Sequence, residues 1–387
     1  MTIFKKLNRD WKIAIITALV FQVILAITGL IVAKISDVEL INYNYNWDSS
    51  WYGNIVANWY VGEAAAPHSM VFYPLFPLVI TILKFCTFNL IPAQILGTIV
   101  NTVCLVFIVY FIRKICQALF PKRTKLPIWV TVLLLTFHSA FFLHCFYSET
   151  LLLAIGLGAY YFAIKRRWAL MGILLAFATA IRLPGLLFVG LCGLEFMRAY
   201  DYKIKKIFNK NLWWFLLAPL GIVGYMVYLW IICGDPLAMF HAYEGSVWTY
   251  HVLNFNIFEV YIRYIQNFFN IFINGSKAGA IIDYGIPLYS MFMILITSLY
   301  ALFTKKKQLY PLAIFGLAAI VMFSLNSNLV STNRYAISAV SQFFIIGEFA
   351  TANNKKWRKV LAAAFILVNV IIMCGYYYGF INTEFVG

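Results

Sequence analysis

Asp48 is the residue in this chain best placed to do chemistry. It follows Trp47 and opens the run WDSSWYGNIVANWY, with aromatic residues at 47, 51, 52, 59 and 60. Tryptophan and tyrosine concentrate at membrane–water boundaries, so the run predicts a helix on a membrane surface with Asp48 near its start. A carboxylate there can take the proton of an acceptor hydroxyl, if it comes within hydrogen-bond reach. Asp is also a favoured helix N-cap, and spacing alone leaves both roles open. Glu63 follows in the same loop.

Other candidates sit at the edges of apolar runs. Tyr147-Ser148-Glu149 precedes one of them. Glu149 can orient a ligand hydroxyl or Arg182; equally, Ser148 can cap a helix and Glu149 favour its N-terminus. Arg182 lies in the Arg182-Leu183-Pro184-Gly185 interruption between two apolar stretches. Charges at such depth are costly and generally functional, and a guanidinium fits phosphate oxygens. A structural pairing with Glu149 is the alternative. Arg334 is a second phosphate candidate, or an end-anchor that snorkels. His241 and Glu244, with Trp248, have the spacing of one helix face. They suit an acceptor site or simple contact with water. A metal needs three or four converging ligands; His68, His241, His251, Asp48 and Glu63 are on hand, but no ligand spacing selects them. No metal or other cofactor is expected.

The elements that must position these residues are membrane spans. Of 387 residues, 63% are hydrophobic and 11% charged, against about half and about a quarter in soluble domains. Apolar runs at 12–33, 95–112, 127–143, 150–164, 168–181, 183–198, 211–232, 283–303, 309–325, 334–350 and 358–379 predict about eleven spans. The segments 168–181 and 183–198 read as half-length helices meeting inside the membrane, around a cavity. Residues 71–86 read as a helix at the outer interface. The first apolar run is too long for a signal peptide and reads as an uncleaved first span.

Basic residues fix the orientation. With the N-terminus cytoplasmic, all of the 30 Lys and Arg fall inside except Lys34, Lys84, Arg182, Arg263, Lys277 and Arg334. The outside then holds a first loop at 34–94, short segments at 144–149 and 326–333, a second large loop at 233–282, and the C-terminus. The candidates cluster on that one side of a single transmembrane domain, 1–387. The net charge of +16 marks the cytoplasmic face; no basic run is long enough to form a nucleic-acid groove. Seven cysteines form no CxxC pair and read as small apolar residues.

The ordered blocks resemble a known family. WDSSWYGNIVANWY, then Glu63, then VFYPLFP is similar to the first luminal loop of the Pig-V-like family, the transferases of the second mannose of GPI anchors and their bacterial relatives. FYSETLLLAIGLGAYYFA (146–163), ATAIRLPGLLF (178–188), GDPLAMFHAYEGSVW (234–248) and, more weakly, NRYAISAVSQFF (333–344) follow in the family's order. Thr150 stands where Ser is usual, and Tyr73-Pro74-Leu75-Phe76-Pro77 varies the aromatic order; both departures bear on sugar choice. The resemblance implies the GT-C glycosyltransferase fold and inverting transfer of a hexose, mannose by analogy. The donor would be a polyprenyl-phosphate carrier and the acceptor a lipid or cell-envelope glycan. By the match at Trp47-Asp48, Asp48 would be the base. The GDPLAMF block is like bacterial members, which would place the chain in a plasma membrane with its site on the outer face. The rival readings are a transporter or flippase of a lipid-linked substrate, and a non-catalytic subunit of a glycosylation complex. A transporter would be expected to show polar groups through its spans and two related halves, and neither is evident.

Overall fold

A computed structural model describes residues 8–61, 67–243 and 252–386. The described chain is helical throughout; among these residues no strand forms beyond one isolated bridge, Leu253 with Asn326. The main helices are α1 (Arg9–Ile35), α2 (Asp48–Asn58), α3 (Leu75–Cys86), α4 (Ala93–Leu119), α5 (Leu126–Leu135), α6 (Glu149–Ile164) and α7 (Trp168–Thr179). They continue with α8 (Gly185–Ala199), α9 (Leu220–Cys233), α10 (Ile257–Asn274), α11 (Ile286–Phe303), α12 (Tyr310–Ser324), α13 (Ser341–Thr351) and α14 (Lys356–Ile381).

Among the described residues, five helical stretches are long and apolar enough to cross a membrane: α1, α4, Lys210–Cys233 ending in α9, Lys277–Phe303 ending in α11, and α14. Shorter apolar helices, α3, α5, α6, α7 and α12, pack among them. Ile16, Val20, Val23, Ile27 and Ile31 of α1 and Val360, Leu367 and Ile371 of α14 are exposed. Apolar surface of this extent suits acyl chains rather than water.

α6 is the central post. Its sequence is apolar on every side, which marks a helix buried all round. Leu152, Leu153, Leu157 and Tyr160 are fully buried, and α6 packs on α4, α7 and α8. Gly97 of α4 lets Phe146 lie where a Cβ would clash with the ring.

Ion pairs sort the chain into two ends. At one, Asp10 accepts from Arg113 at 2.7 Å and Lys114 at 2.6 Å, Arg123 and Lys306 meet Glu348 at 3.2 and 2.6 Å, and Arg166 donates to the Ala199 carbonyl. The lysine- and arginine-rich loops thus share a face, as charge patterning requires. At the other end, residues 43–48, 144–149, 180–184, 331–335 and 380–386 come together.

Two expected spans are built differently, and a further two are joined by a turn. The run 127–143 is helical only to Leu135; a short 3-10 turn at Ala140–Leu143 follows within a fully buried irregular stretch. Its polar groups find distant partners: His138 Nδ1 lies 2.8 Å from Asn369 Oδ1, and His138 Nε2 lies 3.1 Å from the Ser290 hydroxyl. Irregular backbone is tolerated at such depth when buried in protein. The run 334–350 is likewise a helical turn at Thr332–Tyr335, a 3-10 turn at Ala336–Ser338, then α13. Finally, α7 and α8 form an antiparallel hairpin. Its turn lies at the same end as Glu149, because Leu75 N donates to Ala180 O and Arg182 pairs with Glu149. α3 starts at that end too, and the chain returns there at Gln94, whose side chain reaches Asn42. At 12 residues, or roughly 18 Å, α3 is shorter than a hydrocarbon core of about 30 Å.

Candidate active site

Two irregular, buried segments supply the scaffold, 136–148 and 331–340. Each delivers its functional side chain at or just beyond the break, where backbone no longer confines direction. α6 starts at Glu149, whose charge suits a helix N-terminus. Ser148 does not cap it, as the sequence allowed; its hydroxyl lies 2.7 Å from that of Tyr52. α2 starts at Asp48. Asp48 is therefore the first helical residue and not the cap, which is Trp47 in a left-handed conformation with φ 57°. A positive φ is unfavourable for a bulky residue. Contacts hold it there: Trp47 Nε1 donates to Glu384 O at 3.1 Å, and Ser50 Oγ donates to Trp47 O at 2.7 Å.

The carboxylates and guanidinia so delivered form one chain. Arg334 Nη1 lies 2.8 Å from Asp48 Oδ2, and Arg334 Nε lies 3.4 Å from Glu149 Oε1. Arg182 Nη1 donates to the same Glu149 oxygen. Glu149 and Arg334 are 1% and 3% exposed, Asp48 and Arg182 16% and 14%. The cluster is deep at its centre and open at its two ends. Its formal charge is zero, two cations against two anions, which makes burial tolerable.

Tyr147 ties the cluster to α2. Its hydroxyl accepts from Asp48 N at 3.2 Å and donates to Asn46 O at 3.0 Å. Phe142, Tyr147 and Tyr335 surround the Arg334 guanidinium, with ring centres 5.6, 5.3 and 5.1 Å away. Tyr335 also faces Arg182 at 5.2 Å. Tyr243 comes close to the same group. Burial raises its hydroxyl above the ordinary tyrosine value, with Tyr335, Tyr73 and Asp48 adding to the effect and Arg182 opposing it.

An open recess of about 530 Å³ lies within a turn of Asp48 on α2, lined by Tyr45, Ser50, Trp51, Gly53 and Asn54. A second, of about 220 Å³, includes Ser331 and Asn333 beside Arg334.

Of the residues singled out in sequence, Asp48, Tyr147, Glu149, Arg182 and Arg334 converge. Arg334 is not a snorkelling anchor, since it is buried at the centre of the cluster. The alternative pairing of Arg182 with Glu149 is realised. His241 lies at the end of a short helix, Ala238–His241, with its Nδ1 2.7 Å from Asp235 Oδ2 on the surface. Glu63, Glu244, Trp248 and His251 lie outside the described residues. Sequence reasoning missed Tyr335 and Phe142. A signal existed for Tyr335, which adjoins Arg334; none existed for Phe142 within its apolar run. Among the described residues no group of three or more His, Cys, Asp or Glu could hold a metal ion.

A scan of protein-family models and a search of curated proteins find no match to this chain.

Proposed function

We propose that the chain is an inverting membrane glycosyltransferase of GT-C type. It moves a hexose from a polyprenyl-phosphate carrier to a hydroxyl of a lipid or cell-envelope glycan on the outer face of a membrane. The supporting observation is the convergence of Asp48, Glu149, Arg182 and Arg334 at the end opposite the basic loops. A partly exposed carboxylate beside buried guanidinia is what acceptor deprotonation and a phosphate leaving group together require.

In this reading the acceptor lies in the recess along Trp51 and Asn54, and its hydroxyl hydrogen-bonds to Asp48. Asp48 takes the proton as the acceptor oxygen forms a bond to the anomeric carbon. The bond from that carbon to the phosphate oxygen breaks on the opposite face, and its electron pair leaves with the polyprenyl phosphate. Arg334 and Arg182 stabilise the charge that develops there. Attack opposite the leaving group inverts the anomeric centre. Mannose follows from the family resemblance alone.

The test is purified protein in detergent or liposomes with a panel of polyprenyl-phosphate hexoses and a glycolipid acceptor. Transfer with inversion from at least one donor is expected. Absence of transfer from the whole panel, by protein that is folded and inserted, would overturn the reading.

A further inference from the structure

The Arg334–Asp48 contact is close but poorly aligned. The two atoms are 2.8 Å apart. Yet Arg334 Nη1 and Nε are both buried without a well-directed hydrogen bond, and Glu149 Oε2 is buried without one as well. Aromatic rings occupy three sides of the guanidinium. Arg182, by contrast, does donate a hydrogen bond to Glu149. Unfulfilled donors of a buried cation are costly, and a planar guanidinium is built to engage two oxygens at once. Arg334 Nη2 donates to the Tyr335 hydroxyl at 3.4 Å; Nη1 and Nε are held beside Asp48 and Glu149 by charge, with their hydrogen-bonding capacity unspent.

Asp48 Oδ2, facing Arg334 Nη1 at 2.8 Å, is likewise occupied and not free to accept a hydrogen bond from an acceptor hydroxyl. The resting arrangement thus restrains both partners. Building on the transferase reading, we infer that Asp48 and the donor phosphate compete for Arg334, so that donor binding releases Asp48 to act as base.

The charge balance supports this order. The resting cluster is neutral. A phosphodiester donor adds one negative charge, which Arg334 meets by turning from Asp48 to phosphate oxygens. The excess then falls on Asp48; when Asp48 takes the acceptor's proton, that negative charge passes to the departing phosphate, which leaves as a dianion facing the guanidinia. Proton uptake and departure of the phosphate are coupled through a single guanidinium. Glu149 is a positioning residue: it holds Arg334 by Nε while Nη1 exchanges partners.

A double-mutant cycle tests the competition directly, because coupling energies isolate pairwise effects. Binding of a polyprenyl phosphate is measured on purified wild type, Asp48→Asn, Arg334→Gln and the double variant, with Asp48→Ala as a second probe. Each is first checked for monodisperse, inserted protein. Removing the competing carboxylate is expected to tighten binding at least about fivefold, the lower range of inter-site coupling. The gain is expected to vanish in the Arg334→Gln background. Tightening that persists without Arg334 shows a general charge effect and overturns the inference. Unchanged binding in both Asp48 variants overturns it too, while leaving the transferase reading intact if Arg334→Gln alone weakens binding. Failure of every form to bind the lipid overturns both.

Discussion

Arg182 and Arg334 converge on the same oxygen of Glu149. Two guanidinia so close together repel each other unless an anion stands between them. Glu149, 1% exposed, performs that service, and its depth shields it from screening by salt.

Glu149→Gln is therefore expected to damage the fold first. Removing one partner from a buried pair costs about 3–5 kcal/mol, and here two cations lose their counter-charge. Thermal unfolding in detergent is the measurement. A melting temperature within a degree of wild type would show that the carboxylate is dispensable.

Asp48→Asn should behave in the opposite way. The side chain lies at the open end of the cluster, and its backbone N–H bond to Tyr147 is unaffected by the change. Folding and insertion are expected to persist, while transfer falls by roughly 10²–10⁴, the usual worth of a general base. Full activity of this variant in the lipid-linked sugar assay would remove Asp48 from the mechanism.

Glu348 provides a control at the far end. It is fully buried and meets Lys306 at 2.6 Å and Arg123 at 3.2 Å, both partly in solvent. Glu348→Gln is expected to cost on the order of 1–3 kcal/mol, less than at Glu149 because the partners can hydrate. Activity per folded molecule should be unchanged. A selective loss of activity would argue that the two ends are coupled.

The Asp235–His241 pair gives a pH prediction. The hydrogen bond from His241, joined by the backbone N–H of Leu237, lowers the Asp235 carboxyl below its ordinary 3.8. A carboxylate lowered on folding adds stability above its unfolded value and loses it as pH falls through the folded one. Amide exchange over 235–241 should therefore quicken below about pH 4 in wild type and lose that pH dependence in Asp235→Asn. Equal acid sensitivity in both proteins would refute the link.

α10 carries an exposed apolar stripe of Phe258, Ile262, Ile265, Phe269 and Ile273 at helical spacing, while Val260 and Tyr264 pack inward. Such a helix is suited to lie in the membrane interface. A bimane or similar probe on a Phe269→Cys variant, in an otherwise cysteine-free protein, should be quenched by brominated lipid and protected from aqueous iodide. The reverse pattern would place the stripe in water.

Much of this was legible from charge and apolar length. Tyr147, Glu149, Arg182 and Arg334 stood out because each interrupts or borders an apolar run, and Asp48 because it opens an aromatic-rich stretch. Of their pairings only Arg182 with Glu149 was among the readings the sequence allowed; Arg334 with Asp48 was not, because those partners lie at opposite ends of the chain. The breaks after Leu135 and before Ser341 were also hidden. Their sequences are apolar enough to continue as helix, and what stops them is tertiary: His138 finds Asn369 231 residues away. Glu348 was not singled out, and only the fold shows two cations reaching it.

The cluster draws its charges from four segments, the last of which carries Arg334. During synthesis Asp48 and Glu149 emerge first and Arg182 next. A nascent chain halted before Ser331 thus holds two carboxylates and one guanidinium at this end. Its charge is unbalanced, and Asp48 has no cation to face. Closure of the cluster is accordingly a late event in biogenesis, reached only when nearly the whole chain has been made.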